Sequence, residues 1–425
     1  MQNIVILGAG TAGTIMANRL ARQNKASLAA GELTITVVDQ DGKHIYQPGL
    51  LFVPFGIYRP EEIVKPREAQ LPKSVRLVVS EIDKVDSGHD QVLLMDGTVL
   101  QYDVLIVATG TRIAPEETEG LTGPGWREKA FDFYTIEGAS ALANALSTWD
   151  GGRLVINVVD MPIKCPVAPL EFAFLADWYF TKRGLRDKVT ITYATPLDGA
   201  FTKPRAAGAL AHLLKQKGIE LVTEFNAGEV DGAGGRLVSW DEREVPFDLL
   251  VSIPLHMGSA FVGRSPGLGD DLDFVLTDPA TLQAKVKDNV FALGDASNVP
   301  TSKAGSVAHF QAEVLSENVQ AFLEGRKALP ERSDGHANCF IETGFGKGLL
   351  IDFNYEVEPL PGRFPIPRLG PLPLLKESRF NHWGKMAFRW IYWNMLLPGR
   401  DLPLVTADLD MRGKNLPAAQ ADRAA

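Results

Sequence analysis

A glycine-rich turn near the amino terminus constrains the fold of this 425-residue chain more than any other feature. The apolar run Asn3–Leu7 leads into Gly-Ala-Gly-Thr-Ala-Gly at residues 8–13, and a helical pattern, the apolar run Leu33–Val38 and an acid then follow. In a dinucleotide-binding fold with this order, the glycines let the backbone approach a pyrophosphate at a helix N-terminus, and the acid binds ribose hydroxyls. The sequence therefore predicts a dinucleotide held by Gly8, Gly10, Thr11, Ala12, Gly13 and Asp39.

A second strand-like run, Arg153–Val159, meets no glycines. It is followed by Asp-Met-Pro-Ile-Lys-Cys-Pro at residues 160–166. Proline has no N–H to offer a phosphate. The next run, Val189–Tyr193, ends in Ala-Thr-Pro, without the charged residue that selects a nicotinamide nucleotide. We therefore expect a nucleotide-binding fold that has lost its nicotinamide site, with thiol chemistry at Cys165 in its place.

Composition and charge narrow the class of protein. The chain has 45% hydrophobic and 22% charged residues, as soluble globular proteins do, and its net charge of −9 argues against nucleic acid as the main partner. No run approaches the roughly 18 apolar residues of a membrane span. Residues 1–3 pass into a strand without a signal peptide, which predicts a cytoplasmic protein. Two cysteines are too few for a disulfide framework, so they are either inert buried thiols or a redox pair. No metal site is predicted.

Two further turns follow apolar runs later in the chain. Val104–Ala108 leads into Thr-Gly at residues 109–110, and Asn289–Leu293 leads into Gly-Asp at residues 294–295. With the first glycine turn, these signatures resemble those of the two-dinucleotide-fold flavoprotein family, which includes glutathione reductase and type II NADH dehydrogenases. The resemblance implies an α/β fold with two Rossmann-like domains and FAD as the cofactor. The additional FAD contacts that it implies are Ala108, Thr109, Gly110, Gly294 and Asp295.

The same resemblance implies a domain organisation. The FAD-binding domain is expected to be discontinuous, at residues 1–115 and 285–329, and the degenerate second domain to occupy residues 116–284. Alternating apolar residues at Val75–Val79 and Val92–Met95 predict a hairpin or small meander inserted into the first domain. Residues 330–425 form the remaining C-terminal region.

The two cysteines stand in different settings. Cys165 precedes an apolar, helix-like stretch that runs to about Arg183. At a helix N-terminus the macrodipole stabilises a thiolate, so we expect a lowered pKa for Cys165, with Lys164 adding to the effect. Cys339 lies in a predicted strand that is followed by a glycine-rich turn. The sequence alone leaves open whether the two thiols meet.

One combination of features is more specific. A single FAD fold, a Lys-Cys-Pro in place of the second glycine turn and a late Cys-Phe-Ile-Glu-Thr-Gly resemble the sulfide:quinone oxidoreductase family over nearly the whole chain. In that family two cysteines flank the flavin, form a disulfide or polysulfide bridge, and pass an electron pair from sulfide to the isoalloxazine ring. By position these would be Cys165 and Cys339. Many members have a third cysteine, but residues 111–133 here contain none, which leaves the sulfur acceptor open.

Several polar residues are candidates for supporting roles. The segment Pro300–Ala308 resembles the family's Pro-Lys-Thr-Gly turn, and this implies that Lys303 stabilises negative charge on the reduced flavin. The alternative is a solvated surface lysine. The candidate proton carriers, each with a purely structural role as its alternative, are Glu171, His212, His256 and His309.

Residues 380–397 are rich in aromatic and basic side chains. On a helix, Lys385 and Arg389 form a basic pair, and an apolar stripe combines Trp383, Met386, Ala387, Trp390, Trp393 and Leu397. Such a helix suits either the bilayer interface or the protein core. Because quinones dissolve in the hydrocarbon phase, we favour peripheral, monotopic attachment of the C-terminal region to the cytoplasmic side of the cell membrane.

The resemblance thus implies FAD-dependent oxidation of sulfide to polysulfide or sulfane sulfur, with quinone as the electron acceptor. A type II NADH:quinone oxidoreductase is one alternative, disfavoured by the missing glycines. A flavocytochrome-type sulfide dehydrogenase flavoprotein is another, and it would need export. A non-catalytic flavin-binding scaffold or sulfur carrier is the third. Association into a homo-oligomer stays open.

Overall fold

Two five-stranded parallel sheets form the framework of the protein, which the computed structural model describes over residues 1–326 and 328–415. The first sheet joins, in spatial order, the strands Val290–Ala292, Val104–Val107, Gln2–Leu7, Leu33–Asp39 and Arg76–Val79. The second joins Ala130–Phe131, Leu249–Ile253, Gly152–Val158, Val189–Ala194 and Ile219–Val222. The central strands of both sheets are buried almost continuously, as strands covered on both faces must be.

Helices cover these sheets and connect their strands. The α-helices are α1 (Thr11–Gln23), α2 (Lys25–Ala29), α3 (Ile136–Thr148), α4 (Ala168–Lys182), α5 (Pro204–Gln216), α6 (Ala260–Gly263), α7 (Gly305–Leu323) and α8 (Arg379–Ile391). A π-helical turn, Tyr392–Leu396, continues α8, and short 3-10 helices lie at Gln47–Phe52, Pro60–Ile63, Glu68–Gln70, Pro115–Glu117, Arg186–Lys188 and Gly294–Ala296. Side chains cap two of the helices, since the hydroxyls of Thr135 and Ser378 accept backbone N–H groups from the first turns of α3 and α8.

Smaller sheets complete the fold, and all are antiparallel except for one parallel strand pair, Lys347–Phe353 with Leu372–Leu374, in the C-terminal sheet. Two have three strands each, Ile82–Asp86, Gln91–Leu94 and Val99–Gln101 in one, and Ala227–Asp231, Arg236–Ser239 and Glu244–Pro246 in the other. A four-stranded C-terminal sheet joins Ala337–Gly344, Lys347–Phe353, Leu372–Leu374 and Gly362–Phe364. Two strand pairs, Lys43–Ile45 with Val64–Pro66 and Arg112–Ile113 with His256–Met257, bridge neighbouring segments.

One predicted strand lies in a different place. The run at Val75–Val79 was expected in an inserted hairpin or meander with Val92–Met95, and that prediction is wrong, because Arg76–Val79 is the edge strand of the first sheet. Only the second run contributes to the meander, as the strand Gln91–Leu94. An edge strand is partly exposed, as a meander strand is, so the apolar pattern does not identify its partner.

The prediction of two Rossmann-like α/β units is confirmed. The proposed domain boundaries, 1–115 with 285–329, 116–284 and 330–425, agree with the strand membership of the two sheets and remain a proposal. Residues 416–425 of the C-terminal region lie outside the described residues.

Candidate functional site

A cavity of about 350 Å³ opens at the carboxyl ends of the first sheet. All the predicted cofactor-binding residues except Gly13 line it, namely Gly8, Gly10, Thr11, Ala12, Asp39, Ala108, Thr109, Gly110, Gly294 and Asp295. The structure also brings Cys165, Glu171 and Lys303 to its wall. Residues that are far apart in the sequence thus meet around one space.

The backbone of the first turn fits a dinucleotide. Gly8 has φ +93°, and a Cβ there would lie 2.5 Å from the oxygen of Ala108. A Cβ on Gly13 would lie 1.8 Å from the Gly8 oxygen, so Gly13 allows α1 to pack against the turn rather than lining the cavity. No side chain caps α1 at Gly10, which leaves its first N–H groups available to an anion. The hydroxyl of Thr109 is buried without a hydrogen-bond partner among the described residues.

The acid at the end of the second strand is held by an arginine that the sequence analysis missed. Oδ2 of Asp39 accepts hydrogen bonds from the Ala9 N–H at 2.6 Å and from Nη1 of Arg67 at 2.7 Å. Arg67 also donates to Asp41 at 2.8 Å. Because both bonds to Asp39 use one oxygen, Oδ1 is the atom that can accept from a ribose hydroxyl.

The two cysteines, both free thiols, converge on adjacent residues of one segment. The N–H of Cys165 donates to the backbone oxygen of Lys303 at 2.6 Å. Cys339 is buried in the strand Ala337–Gly344, where Ser302 is close enough to lower the pKa of its thiol. The thiols are also close enough to each other that the charge of Cys165 raises the pKa of Cys339. The fold thus brings both cysteines beside residues 302–303, although the sequence left open whether they meet.

The expected activation of Cys165 by a helix dipole is wrong. Burial raises the pKa of this thiol to about 12, Glu171 adds to the shift, and Lys385 and the Ala168 N–H oppose it. Cys165 precedes the N-cap residue of α4, Val167, whereas the dipole acts mainly within the first turn. Lys164 gives little help, since burial lowers its own pKa.

Lys303 is not the solvated surface lysine that was the alternative reading. Its side chain is buried, and Nζ donates to the backbone oxygens of Asp295 at 3.0 Å and Ser297 at 2.9 Å. It also lies 3.9 Å from the ring centroid of Phe274. Burial lowers the pKa of Lys303 to about 8, and Asp295 opposes that shift. The ammonium group therefore fixes the turn that carries Gly294 and Asp295.

The candidate proton carriers separate into one residue at the cavity and three away from it. Glu171 is fully buried and lines the cavity. His256 is buried with Nδ1 2.9 Å from the Pro254 oxygen, and burial lowers its pKa to about 3. His309 is buried in α7 beside Glu313, and His212 is exposed on α5. None of the three histidines is among the residues that line the cavity.

The C-terminal helix is oriented differently from the prediction. Lys385 is buried and forms an ion pair with Glu171, Nζ to Oε1 at 2.8 Å, so the predicted basic pair of Lys385 and Arg389 is wrong. The predicted apolar stripe is divided, because Trp393 and Leu397 are buried whereas Trp383 and Trp390 are 59% and 64% exposed. The outer face of α8, hereafter the aromatic face, consists of Phe380, Trp383, Ala387 and Trp390. Within the described residues, no helix has the length and apolarity needed to cross a bilayer.

A hydrogen-bonded chain that the sequence analysis missed joins the end of α8 to the first glycine turn. The hydroxyl of Tyr392 lies 2.7 Å from Nε2 of His44 and 2.8 Å from Oγ1 of Thr11. Nδ1 of His44 lies 3.1 Å from the Ala9 oxygen. These contacts span 381 positions of the sequence and could not be read from any local pattern.

Residues 2–312 match the family model described as pyridine nucleotide-disulphide oxidoreductase. The chain belongs to this family. It is therefore an oxidoreductase, and its cofactor is a flavin.

Several relatives match this chain over almost its whole length. A mitochondrial sulfide:quinone oxidoreductase of Dictyostelium discoideum is 28% identical over 93% of this chain and 86% of its own. The mitochondrial sulfide:quinone oxidoreductase of Mus musculus is 25% identical with the same coverage. The X-ray structure of the sulfide:quinone oxidoreductase from Aquifex aeolicus superimposes with a TM-score of 0.77 at 19% identity, covering 94% of this chain and 92% of that one. The predicted resemblance to sulfide:quinone oxidoreductases is thus confirmed.

A second, smaller cavity of about 210 Å³ lies at the degenerate nucleotide site. It is lined by Pro162 and Pro166 of the glycine-free turn, by Ser302 and Lys303, and by Lys203. Prolines thus occupy the wall where a family member with a nicotinamide site would present backbone N–H groups.

Proposed function

We propose that this protein is an FAD-dependent sulfide:quinone oxidoreductase. The observation that carries the proposal is the convergence of Cys165 and Cys339 on residues 302–303 beside the dinucleotide-type cavity. The curated relatives named sulfide:quinone oxidoreductase support the same activity. When bound, FAD would accept an electron pair on the thiol side and release it to a quinone.

The residues that would hold FAD are those of the first turn and its neighbours. The N–H groups at the start of α1 would bind the pyrophosphate, and Oδ1 of Asp39 would accept from the adenosine ribose. The turn at Gly294 and Asp295, fixed by Lys303, would approach the flavin end. The ammonium of Lys303, buried beside this turn, is placed to stabilise negative charge that develops there.

The thiol chemistry would begin with a Cys165–Cys339 disulfide. Sulfide attacks one sulfur, so the bridge breaks, a persulfide forms on the attacked cysteine, and the other cysteine leaves as a thiolate. Burial raises the pKa of both thiols. We assign the leaving role to Cys165, because it lines the cavity, and the sulfur-accepting role to Cys339. A second hydrosulfide would then take the outer sulfur of the persulfide as polysulfide and leave the Cys339 thiolate, and re-formation of the Cys165–Cys339 bridge would give two electrons to FAD.

Quinone would enter the same cavity beside α8. Lys385, Phe388 and Tyr392 line the cavity there, and they belong to the helical segment that carries the aromatic face. Exposed tryptophans on an amphipathic helix suit the interfacial region of a bilayer. We therefore propose peripheral attachment through α8 on the cytoplasmic side of the membrane, which would bring the cavity to the hydrocarbon phase where quinones dissolve.

The test is an anaerobic mixing experiment with the purified holoenzyme. Sulfide and NADH are added separately, and the visible flavin absorbance is followed. We expect bleaching by sulfide, reversal by a soluble quinone, and a loss of more than about 100-fold in the bleaching rate in Cys165→Ser and Cys339→Ser. Bleaching by NADH with no response to sulfide would refute the proposal, and so would a sulfide response that persists in both variants.

A further inference from the structure

A buried ion pair forms part of the cavity wall. Glu171 is fully buried, Lys385 is nearly so, and Nζ of Lys385 lies 2.8 Å from Oε1 of Glu171. Nζ also donates to the Phe340 oxygen at 3.1 Å. Removing two charges from water is costly, so such a pair contributes little to stability on balance. Its position on the cavity wall places the Lys385 ammonium where it can reach a substrate bound there.

A second acid–base pair connects this wall with the surface. Nδ1 of His382 lies 2.8 Å from Oε2 of Glu342, whose own side chain is buried. The side chain of His382 is 26% exposed. The backbone N–H of Glu342 donates to Oε1 of Glu171 at 2.6 Å, which ties the two pairs together.

The carboxylate of Glu342 is also in electrostatic reach of Lys385. Burial raises the pKa of Glu342, and His382 and Lys385 oppose that shift. His382 and Lys385 are three residues apart on α8, so they project from neighbouring positions of one helix face. The two pairs are thus joined by the hydrogen bond from the Glu342 backbone to Glu171, and the carboxylate of Glu342 lies near Lys385 without forming an ion pair with it.

We propose that His382 and Glu342 carry protons from the protein surface to the Lys385–Glu171 pair, which delivers them to the quinone. This inference rests on the proposed quinone reduction. It makes Lys385 the group that touches the substrate, and it makes His382 and Glu342 positioning residues that act through Lys385.

The overall reaction requires a supply of protons from solvent. Hydrosulfide, one proton and quinone give sulfane sulfur and quinol. Both electrons come from sulfide, hydrosulfide provides one of the two protons of quinol, and water must provide the other. When the Lys385 ammonium gives a proton to a quinone oxygen, Glu342 replaces that proton through a bridging water, His382 reprotonates Glu342 through Nδ1, and Nε2 of His382 takes a proton from solvent.

Other titratable groups face the two pairs and would shape any pH profile. They are Cys165, Cys339, Tyr46, Tyr58 and Tyr134, together with Arg389 on α8 itself. A single profile of the unmodified enzyme therefore cannot identify the route, whereas a change confined to His382 or Glu342 can.

The test separates quinone reduction from sulfide oxidation. The holoenzyme is reduced with dithionite instead of sulfide and mixed with a soluble quinone, and flavin re-oxidation is followed over a range of pH. We expect Glu342→Gln and His382→Ala to slow re-oxidation by about tenfold or more towards alkaline pH, with an increased solvent isotope effect. Imidazole added to His382→Ala should restore the rate. The matched control is His89→Ala, which removes a surface histidine paired with Asp86 at 2.9 Å far from the cavity.

Each outcome has a distinct meaning. If the unmodified protein is not re-oxidised by quinone, the proposed function fails. If it is re-oxidised and His382→Ala matches it at every pH, the proton route is wrong and the proposed function stands. If Glu342→Gln loses its flavin, imidazole rescue of His382→Ala decides, because rescue supports the route and a slow rate that imidazole leaves unchanged overturns it.

Discussion

The two parallel sheets share their strand arrangement but differ in the turn that follows the central strand of each. After Gln2–Leu7 the chain enters glycines and then α1, and the helix N-terminus stays open to an anion. After Gly152–Val158 it enters a segment with two prolines before α4, and the N–H of Cys165 is bound to the Lys303 oxygen. One framework thus supports a nucleotide site in one half and a thiol in the other.

The difference shows which part of this fold determines the ligand. The sheets supply the strand ends and the helices that follow them, and both halves retain these. Free backbone N–H groups at the turn decide whether a pyrophosphate can bind. Because the second turn has lost those groups, its place beside the first cavity is available for sulfur chemistry.

The largest effect is expected from a substitution that disrupts the glycine-rich turn of the first sheet. Gly13→Ala would place a Cβ 1.8 Å from the Gly8 oxygen, so the turn or α1 must shift. We expect destabilisation of about 3 kcal/mol and loss of bound flavin, measured by thermal unfolding and by the absorbance of the purified protein. Gly208→Ala on α5 is the matched control, since its Cβ would meet open space and a helical alanine is favoured by up to about 1 kcal/mol. Full flavin content in Gly13→Ala would contradict the close packing of the turn.

A second prediction concerns the pH dependence of stability and applies to both halves, because each contains a buried histidine whose pKa is lowered by burial. Burial lowers the pKa of His44 to about 4, and the charge of Arg67 adds to this shift. Burial lowers the pKa of His256 to about 3. The unfolded chain therefore takes up more protons than the folded one as the pH falls below the ordinary histidine value, and stability falls with it. Between pH 7 and pH 5 we expect a loss of about 2 kcal/mol for each histidine.

Thermal unfolding as a function of pH checks this expectation. The variants His44→Gln and His256→Gln should each show a shallower decline than the unmodified protein over that range. Parallel curves for all three proteins would mean that neither histidine is buried in its neutral form.

The smallest expected effect concerns the second half. Pro162→Gly returns one N–H to the degenerate turn, but Pro166 still has none and the Cys165 N–H remains bonded to Lys303. We therefore expect no detectable reduction of the flavin by NADH, measured anaerobically, with the flavin content recorded as a check on folding. Rapid bleaching by NADH would show that a single proline had closed the nicotinamide site.

The parts of the fold that the sequence predicts are those encoded over short distances. The strand, glycine turn, helix, strand and acid at residues 3–39 follow one another directly, and the cavity contains the expected glycines. The absence of glycines after the run Arg153–Val159 is likewise visible within a short stretch of sequence. For the strand Arg76–Val79, the pattern predicts a strand correctly but does not specify its neighbour.

The parts that could not be predicted depend on distant partners. Lys385 looks like an exposed member of an amphipathic helix, yet its ion-pair partner is Glu171, 214 positions earlier. The pKa of Cys165 depends on burial by the rest of the fold, which here outweighs a helix dipole that begins beyond it. The pairing of His382 with Glu342 likewise joins two elements, and only the assembled C-terminal sheet brings them together.

The hydroxyl of Tyr392 links the C-terminal segment to the first glycine turn. A segment that only tethers an enzyme to a membrane can be removed without harm to the catalytic body. Here the proposed attachment segment ends in a hydroxyl that is hydrogen-bonded to Thr11 and His44, so it also forms part of the cavity wall. Under the proposed attachment, cofactor retention and membrane binding would be properties of one structural unit, and we expect a truncated form to lose both together.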